Sequence, residues 1–219
     1  IISPHVIVVD GPCVYNVVHD EIVSASLPAV NSPNNERNCK IISLIMVPNP
    51  CDDMSQVVDL LHDFKGDTLS VDIPEGSYTI SAVVLVNNFM RVIDGAPGAD
   101  GPVVNHYDKN AVNRYLYRMS NTLKDYLDCD LSDYFRAMFM DSMELEGSNW
   151  SDDFAEEFES RRGYDVMPYL NFILWKTRGM GDPVSYKPLI ATSDSLSEIV
   201  KRVRYDFELT KAELLRENF

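Results

Sequence analysis

The stretch Phe135-Arg136-Ala137-Met138-Phe139-Met140-Asp141-Ser142-Met143-Glu144-Leu145-Glu146-Gly147-Ser148-Asn149-Trp150 decides how the rest of the chain reads. It opens as a short apolar run and breaks into carboxylates, an amide and an indole. A strand buried on both faces reads as a continuous apolar run rather than an alternating one, so the run beginning at Phe135 predicts a buried parallel strand. The residues after such a strand lie at its carboxyl end, where α/β folds place their chemistry. On that reading Asp141, Glu144 and Glu146 line the mouth of a site, with Trp150 at its edge. The alternative is structural: Asp141 caps a turn and the glutamates are solvated loop charges.

The residues just downstream predict a helix. Asn149 or Ser151 can cap it, and Asp152 and Asp153 suit its positive end. Phe154 and Phe158 lie four apart on one face, and Glu157 and Arg161 can pair at the same spacing on another. Gly163 supplies a left-handed stop. Strand, acidic turn, aromatic residue and capped helix make one βα unit.

These residues carry a resemblance. Asp141-Ser142-x-Glu144, then Gly147-x-Asn149-Trp150-x-x-x-Phe154-x-x-x-Phe158-x-x-Arg161-Arg162-Gly163-Tyr164-Asp165, then Pro168-Tyr169-Leu170, resembles glycoside hydrolase family 106, the α-L-rhamnosidases. Leu69-x-Val71-x-Ile73-Pro74-Glu75-Gly76-Ser77-Tyr78-Thr79-Ile80 upstream and Arg202-Val203-Arg204-Tyr205-Asp206-Phe207-x-x-Thr210 downstream agree in order. The similarity covers about Leu69 to Phe219 and extends weakly back to Ile41. It implies a (β/α) barrel, removal of terminal L-rhamnose with inversion, and an association with calcium. A secreted or periplasmic location is the corresponding expectation.

Composition bounds the alternatives. The chain has 219 residues, 45% of them hydrophobic, enough for one large domain or two small ones. Its net charge is −15 and its pI about 4.5, which argues against nucleic acid and against an anionic membrane and suits a neutral sugar. No apolar run is long enough to cross a bilayer. The chain opens on Ile1-Ile2 without an initiator Met and reads as a processed or excised piece. Cys13, Cys39, Cys51 and Cys129 lack zinc-site spacing, and whether they pair or stay as thiols is left open.

Before residue 86 the signals are β. Short branched-residue runs occur at Val6–Val9, Val14–Val18, Ile22–Leu27, Ile41–Val47, Leu69–Ile73 and Thr79–Val86. Pro74-Glu75-Gly76-Ser77 reads as a tight turn between two of them. Val57–Phe64 is either a last strand or one helical turn. Residues 1–100 therefore predict a β-sandwich-like module. Asn87–Pro102, rich in Gly, Pro and Asp, is the boundary, with a lid over the site as its other role.

Residues 101–219 predict the βα segment of a partial (β/α)8 catalytic barrel, an α/β part that makes the whole α+β. Asp108 can cap a helix whose Val112, Tyr115, Leu116, Met119, Leu123 and Leu127 form an apolar core stripe. Pro168 can start a helix carrying Tyr169, Leu170, Phe172, Ile173 and Trp175. Ser195 and Glu198 form a capping box for a last helix that buries Leu196, Val200, Val203, Phe207 and Leu214.

Cleaving a glycoside usually takes two carboxyl groups across the scissile bond. The acid must keep its proton near neutral pH through burial or a neighbouring negative charge. Glu144 has Asp141 and Glu146 beside it in sequence, and Met143 and Trp150 as potential apolar walls. The resemblance implies Glu144 as general acid, with Asp141 orienting it. Trp150 and Asn149 are candidate sugar contacts, as are His106 and Asp108, though a lone His is more often a structural hydrogen-bonder. The resemblance implies a second carboxylate on a later barrel strand, in the remainder of the catalytic domain beyond Phe219, and no carboxylate between Asp165 and Phe219 fits that role. Asp128-Cys129-Asp130 is oxygen-rich but matches no EF-hand, so the metal ligands are unknown. The rival reading is a non-catalytic carbohydrate-binding protein or an inactive glycosidase-like fragment.

Overall fold

The computed structural model describes residues 1–26, 38–88, 91–92, 97–98, 101–137, 148–176 and 187–219. In chain order, β1 (Ile2–Val18) leads into α1 (His19–Ser26), then β2 (Asn38–Pro48), a 3₁₀ turn at Met54–Gln56, β3 (Val58–Asp59) and β4 (Thr68–Asn87). Helices come next: α2 (Lys109–Leu127), α3 (Leu131–Tyr134), α4 (Phe154–Arg162), a 3₁₀ turn at Met167–Tyr169 running into α5 (Leu170–Ile173), and α6 (Asp194–Asn218). The described strands form one antiparallel sheet in the order β1-β4-β2-β3. The architecture is α+β.

The two expected runs at Val6–Val9 and Val14–Val18 are one strand, and so are Leu69–Ile73 and Thr79–Val86. Pro74-Glu75-Gly76-Ser77 is therefore not a hairpin turn. It is a bulge within β4: Gly11 faces Gly76 and Cys13 faces Ile73, so β4 carries one extra residue at that point. Gly11 is required there, because a Cβ on it would lie 1.9 Å from the Pro74 carbonyl oxygen. Gly76 takes a φ of 123°.

The extra residue changes which alternate positions share a face. Leu69, Val71 and Ile73 join the same core as Ile80, Ala82, Val84 and Val86 because the odd-numbered series becomes even across the bulge. A second shift between Ile41 and Ser43 does the same for β2, aligning Ile41 with Leu44 and Met46.

That face is covered by α1 through Ile22. The strand expected at Ile22–Leu27 is not there; His19–Ser26 is a helix. Asp20 and Glu21 favour its N-terminus, and Ile22 and Ser26, four apart, are its buried residues. The opposite face, with Ile2, Ile45, Val47 and Val83, packs against Phe154, Phe158, Leu170, Phe172, Val203 and Phe207. Helices thus form the layer that a sandwich would give to a second sheet. Buried Asn171 ties them down: its Oδ1 accepts from Ser81 Oγ at 2.9 Å, and its Nδ2 donates to Ser43 Oγ beside the β2 bulge.

Several helix signals differ from expectation. Phe135 closes α3 by donating its N–H to Leu131 O, so the expected strand does not begin there, and its continuation from Met138 falls outside the described residues. Every described pairing of named strands is antiparallel. The cap of α6 is Ser193, whose Oγ accepts from Leu196 N, rather than Ser195. Glu198 instead pairs with Lys201 at 2.6 Å. Trp175 lies beyond α5, under the Arg204 guanidinium at 4.3 Å from its ring centre. Arg204 also donates to the Ile173 and Phe172 carbonyls. Of the expected α2 stripe only Val112 is buried. Leu116, Met119, Leu123 and Leu127 are half-buried and Tyr115 is exposed.

Candidate functional site

The elements after residue 147 are fixed by paired side chains. Asn149 acts on β1 as another strand residue would: its Oδ1 accepts from Ile2 N at 2.8 Å and its Nδ2 donates to Ile2 O at 3.0 Å. Trp150 comes next, 7% exposed, with its ring 4.9 Å from that of Phe154. Ser151 and Asp153 share the entry to α4: Ser151 O accepts from Phe154 N, and Ser151 Oγ donates to Asp153 Oδ1 at 2.7 Å. Asp153, not Asn149 or Ser151, occupies the cap position. Phe154 and Phe158 are both fully buried, Arg161 pairs with Glu157 at 2.8 Å, and Gly163 ends the helix at a φ of 80°.

Against this entry lies a cavity of about 360 Å³. One wall is residues 102–106, another Ser148 and Trp150–Asp152, and the floor comes from Ile1, Leu85 and Val86. Asn105 locks the two walls together: its Nδ2 donates to Trp150 O at 3.0 Å, while its Oδ1 accepts from Tyr107 N at 3.1 Å. His106 is half-buried on the wall, its ring 5.6 Å from that of Phe219, and its carbonyl accepts from Asn218 Nδ2. Burial lowers the His106 pKa, and a hydrogen bond with the Val104 backbone partly opposes the shift. The ring is therefore neutral at pH 7 and can accept as well as donate. An apolar floor with amides, a neutral imidazole and the Asp152 carboxylate around it offers hydrogen-bond donors and acceptors to a hydroxyl-rich ligand.

The expected sugar contacts are only partly brought together. Trp150 and His106 line the cavity. Asn149 stands next to it with both amide atoms engaged by Ile2. Asp108 lies beyond His106, and its Oδ1 accepts from Asn110 N and Ala111 N, the expected cap of α2. Glu144 and Asp141 lie outside the described residues, as does Glu146. Asn105 and Asn218 were not among the residues expected from the sequence. An Asn directly before His106 was the available signal for the first; Asn218 falls in Glu217-Asn218-Phe219, where the downstream resemblance ends, and nothing there pointed to the carbonyl it meets 112 residues away.

Calcium finds no fit in the loop considered for it. Asp130 Oδ1 accepts from Lys124 Nζ at 2.6 Å, which puts an ammonium where a divalent cation would sit. Among the described residues no group of three or more His, Cys, Asp or Glu side chains is arranged to hold a metal. None of the four cysteines is in a disulfide, and among the described residues no helix is long and apolar enough to cross a membrane.

Comparison with known proteins identifies relatives. A family model for glycoside hydrolase family 106, described as alpha-L-rhamnosidase, matches residues 40–207, more than half of the chain. Among solved structures, the rhamnosidase from Novosphingobium sp. PP1Y is similar at 25% identity and a TM-score of 0.48, over 74% of this chain and 15% of that one. No curated protein matches.

Proposed function

The chain belongs to glycoside hydrolase family 106, the α-L-rhamnosidases, and from that membership we propose that it carries the acid half of a site that removes terminal α-L-rhamnose from a glycan. The observation that carries the reading is positional. The cavity is walled by Ser148 and Trp150–Asp152, the residues that directly follow the acidic turn, and both lie inside the matched range.

In this reading Glu144 is the general acid. It protonates the glycosidic oxygen as the bond to the anomeric carbon breaks, so the departing alcohol leaves neutral. Asp141, three residues away, holds the Glu144 proton by its negative charge and orients the carboxyl group. The sugar lies in the cavity with a face toward Trp150 and hydroxyls toward His106 and the Asn105 wall. Asn149 acts by fixing the indole relative to β1, and Asp108 by fixing the start of α2 behind His106.

Inversion needs a second carboxylate that activates water on the opposite side of the ring. The α6 carboxylates are poor candidates. Asp206 accepts from Tyr164 and Arg202, while Glu213 and Glu217 are held by Arg161 and Arg162. The base is assigned to the remainder of the catalytic domain. A secreted or periplasmic setting suits a glycan substrate.

The test is Glu144→Gln in the intact enzyme, assayed on two rhamnosides. With a poor leaving group the rate should fall by about 10²–10⁴, the usual worth of general acid catalysis. With an activated aryl leaving group, which needs little protonation, it should fall far less. Equal losses on both would make Glu144 the base or a positioning group. No loss on either would remove it from the mechanism.

A further inference from the structure

The geometry points to a second carbohydrate-binding site, a surface groove across α4, the Met167–Tyr169 turn and α6, separate from the cavity. The groove has a volume of about 740 Å³, within the ~300–1,000 Å³ typical of ligand sites. It opens along one face of α6, where Ile199, Arg202, Tyr205 and Leu209 recur at helical spacing. Its other wall is Tyr164 and Tyr169, whose rings meet edge to face at 6.2 Å and 87°.

Three features select the class of ligand. The first is aromatic surface. Tyr205 is 62% exposed on a helix whose other face is core, and half-buried Tyr164 and Tyr169 line the same groove. Tyrosine presents a flat apolar face to the C–H groups of a pyranose and a hydroxyl to its oxygens.

The second is a fixed polar floor. Buried Asp206 accepts from Tyr164 Oη at 2.9 Å and from Arg202 Nε at 3.2 Å, leaving the Arg202 side chain 76% exposed with donors toward the groove.

The third is charge balance. Arg161 bonds Glu157 and Glu217, and Arg162 bonds Glu213 and Thr210. With these guanidiniums already neutralised, an anion gains little in a chain of net charge −15. A neutral polyhydroxy ligand suits all three features: aromatic faces, the exposed Arg202 donors and a floor whose charges are already paired.

The cavity and the groove flank one aromatic core. Trp150 meets Phe154, Phe154 meets Phe207, Phe158 meets Tyr164, and Tyr164 meets Tyr169. A glycan held in the groove would keep the chain on its polymer between cleavage events. The choice of a rhamnosyl glycan as ligand rests on the proposed function, whereas the polyhydroxy class rests on the groove alone.

The test is calorimetric titration of the 219-residue chain with a synthetic α-L-rhamnosyl trisaccharide, alongside Tyr205→Ala, Tyr205→Phe and His106→Gln. Tyr205 is exposed, so its replacement should leave the fold intact, and unchanged thermal unfolding is the control. Tyr205→Ala should raise Kd for the groove event by about three- to tenfold, while Tyr205→Phe stays within about twofold. His106→Gln should leave that event unchanged. No binding by the wild-type chain, or binding that is lost in His106→Gln and indifferent to Tyr205→Ala, would overturn the groove. Its failure is separable from that of the enzymatic reading. If the intact enzyme hydrolyses aryl rhamnosides while Tyr205→Ala changes no Kd, the groove is wrong and the activity stands. If the groove binds but no rhamnoside is cleaved, the reverse holds.

Discussion

The two long helices, α2 and α6, have apolar positions repeating at the same interval and end in different circumstances. In α6 the expected residues Leu196, Val200, Val203, Phe207 and Leu214 are all buried, joined by Thr210 and Asp206. In α2 only the first turn is sealed, by Val112 and the adjacent Tyr107, and Leu116 to Leu127 include no buried residue. The difference lies in what else holds each helix. α6 is stitched at its start, where Cys51 N donates to Ala191 O and Ser193 N to Cys51 O, and along its length by Arg161, Arg162 and Tyr164. α2 is held at its start, by the Asp108 cap and, just before it, by Asn218 Nδ2 donating to the His106 carbonyl. Periodicity reports that a helix has a face to bury and leaves open how much of that face the neighbouring chain covers.

This contrast is open to direct attack. Phe207→Ala should cost about 3–5 kcal/mol, the range for removing a large buried ring, read from denaturant unfolding. Tyr164→Phe should cost about 1.5–3 kcal/mol by taking a hydrogen bond from buried Asp206, with the pair variant Tyr164→Phe/Asp206→Asn recovering part of it. Leu123→Ala, on the half-buried stretch of α2, should cost under about 1.5 kcal/mol, since less area leaves water there. If Leu123→Ala proved as damaging as Phe207→Ala, the contrast would collapse.

The smallest effect is a pH dependence at the junction of the two helices. The folded His106 pKa lies below its ordinary 6.5. The unfolded chain therefore binds more protons between the two values, and stability rises with pH through that window. It is fully present above 6.5 and declines as pH falls below it, with His5, also lowered by burial, acting in the same direction. A two-dimensional NMR titration should place the His106 midpoint under 6.5, and His106→Gln should flatten part of the acid-side loss. A midpoint above 6.5 would reverse the sign.

Much of the molecule was legible in its sequence, and the rest escaped for physical reasons. Local devices read correctly: the Asp108 cap, the Glu157–Arg161 pair, the Gly163 stop and the buried face of α6. Each depends on residues within a turn or two of one another. Errors came where the partner was distant. Pro74 to Ser77 has turn composition, yet β1 pairs on both sides of it and absorbs the extra residue as a bulge through Gly11. Ile22–Leu27 has strand composition, yet the sheet face beside it needed a cover. Of the candidate site, the proximity of two side chains was legible. Trp150 and His106 do share a cavity, whereas the bonds that hold its walls, from Asn105 and Asn218, join residues 45 and 112 positions apart.

On the proposed reading, the cavity between residues 102–106 and 148–152 holds a rhamnose. The most direct measurement is an NMR titration of the chain with methyl α-L-rhamnopyranoside, following the Trp150 indole N–H, the His106 ring and the Asn105 side-chain amide. Saturable shifts of all three at one common Kd, with the Trp175 indole unmoved, are the predicted result. Saturable shifts at Trp175 without change at Trp150, His106 and Asn105, or no saturable shift at any of them, would contradict it.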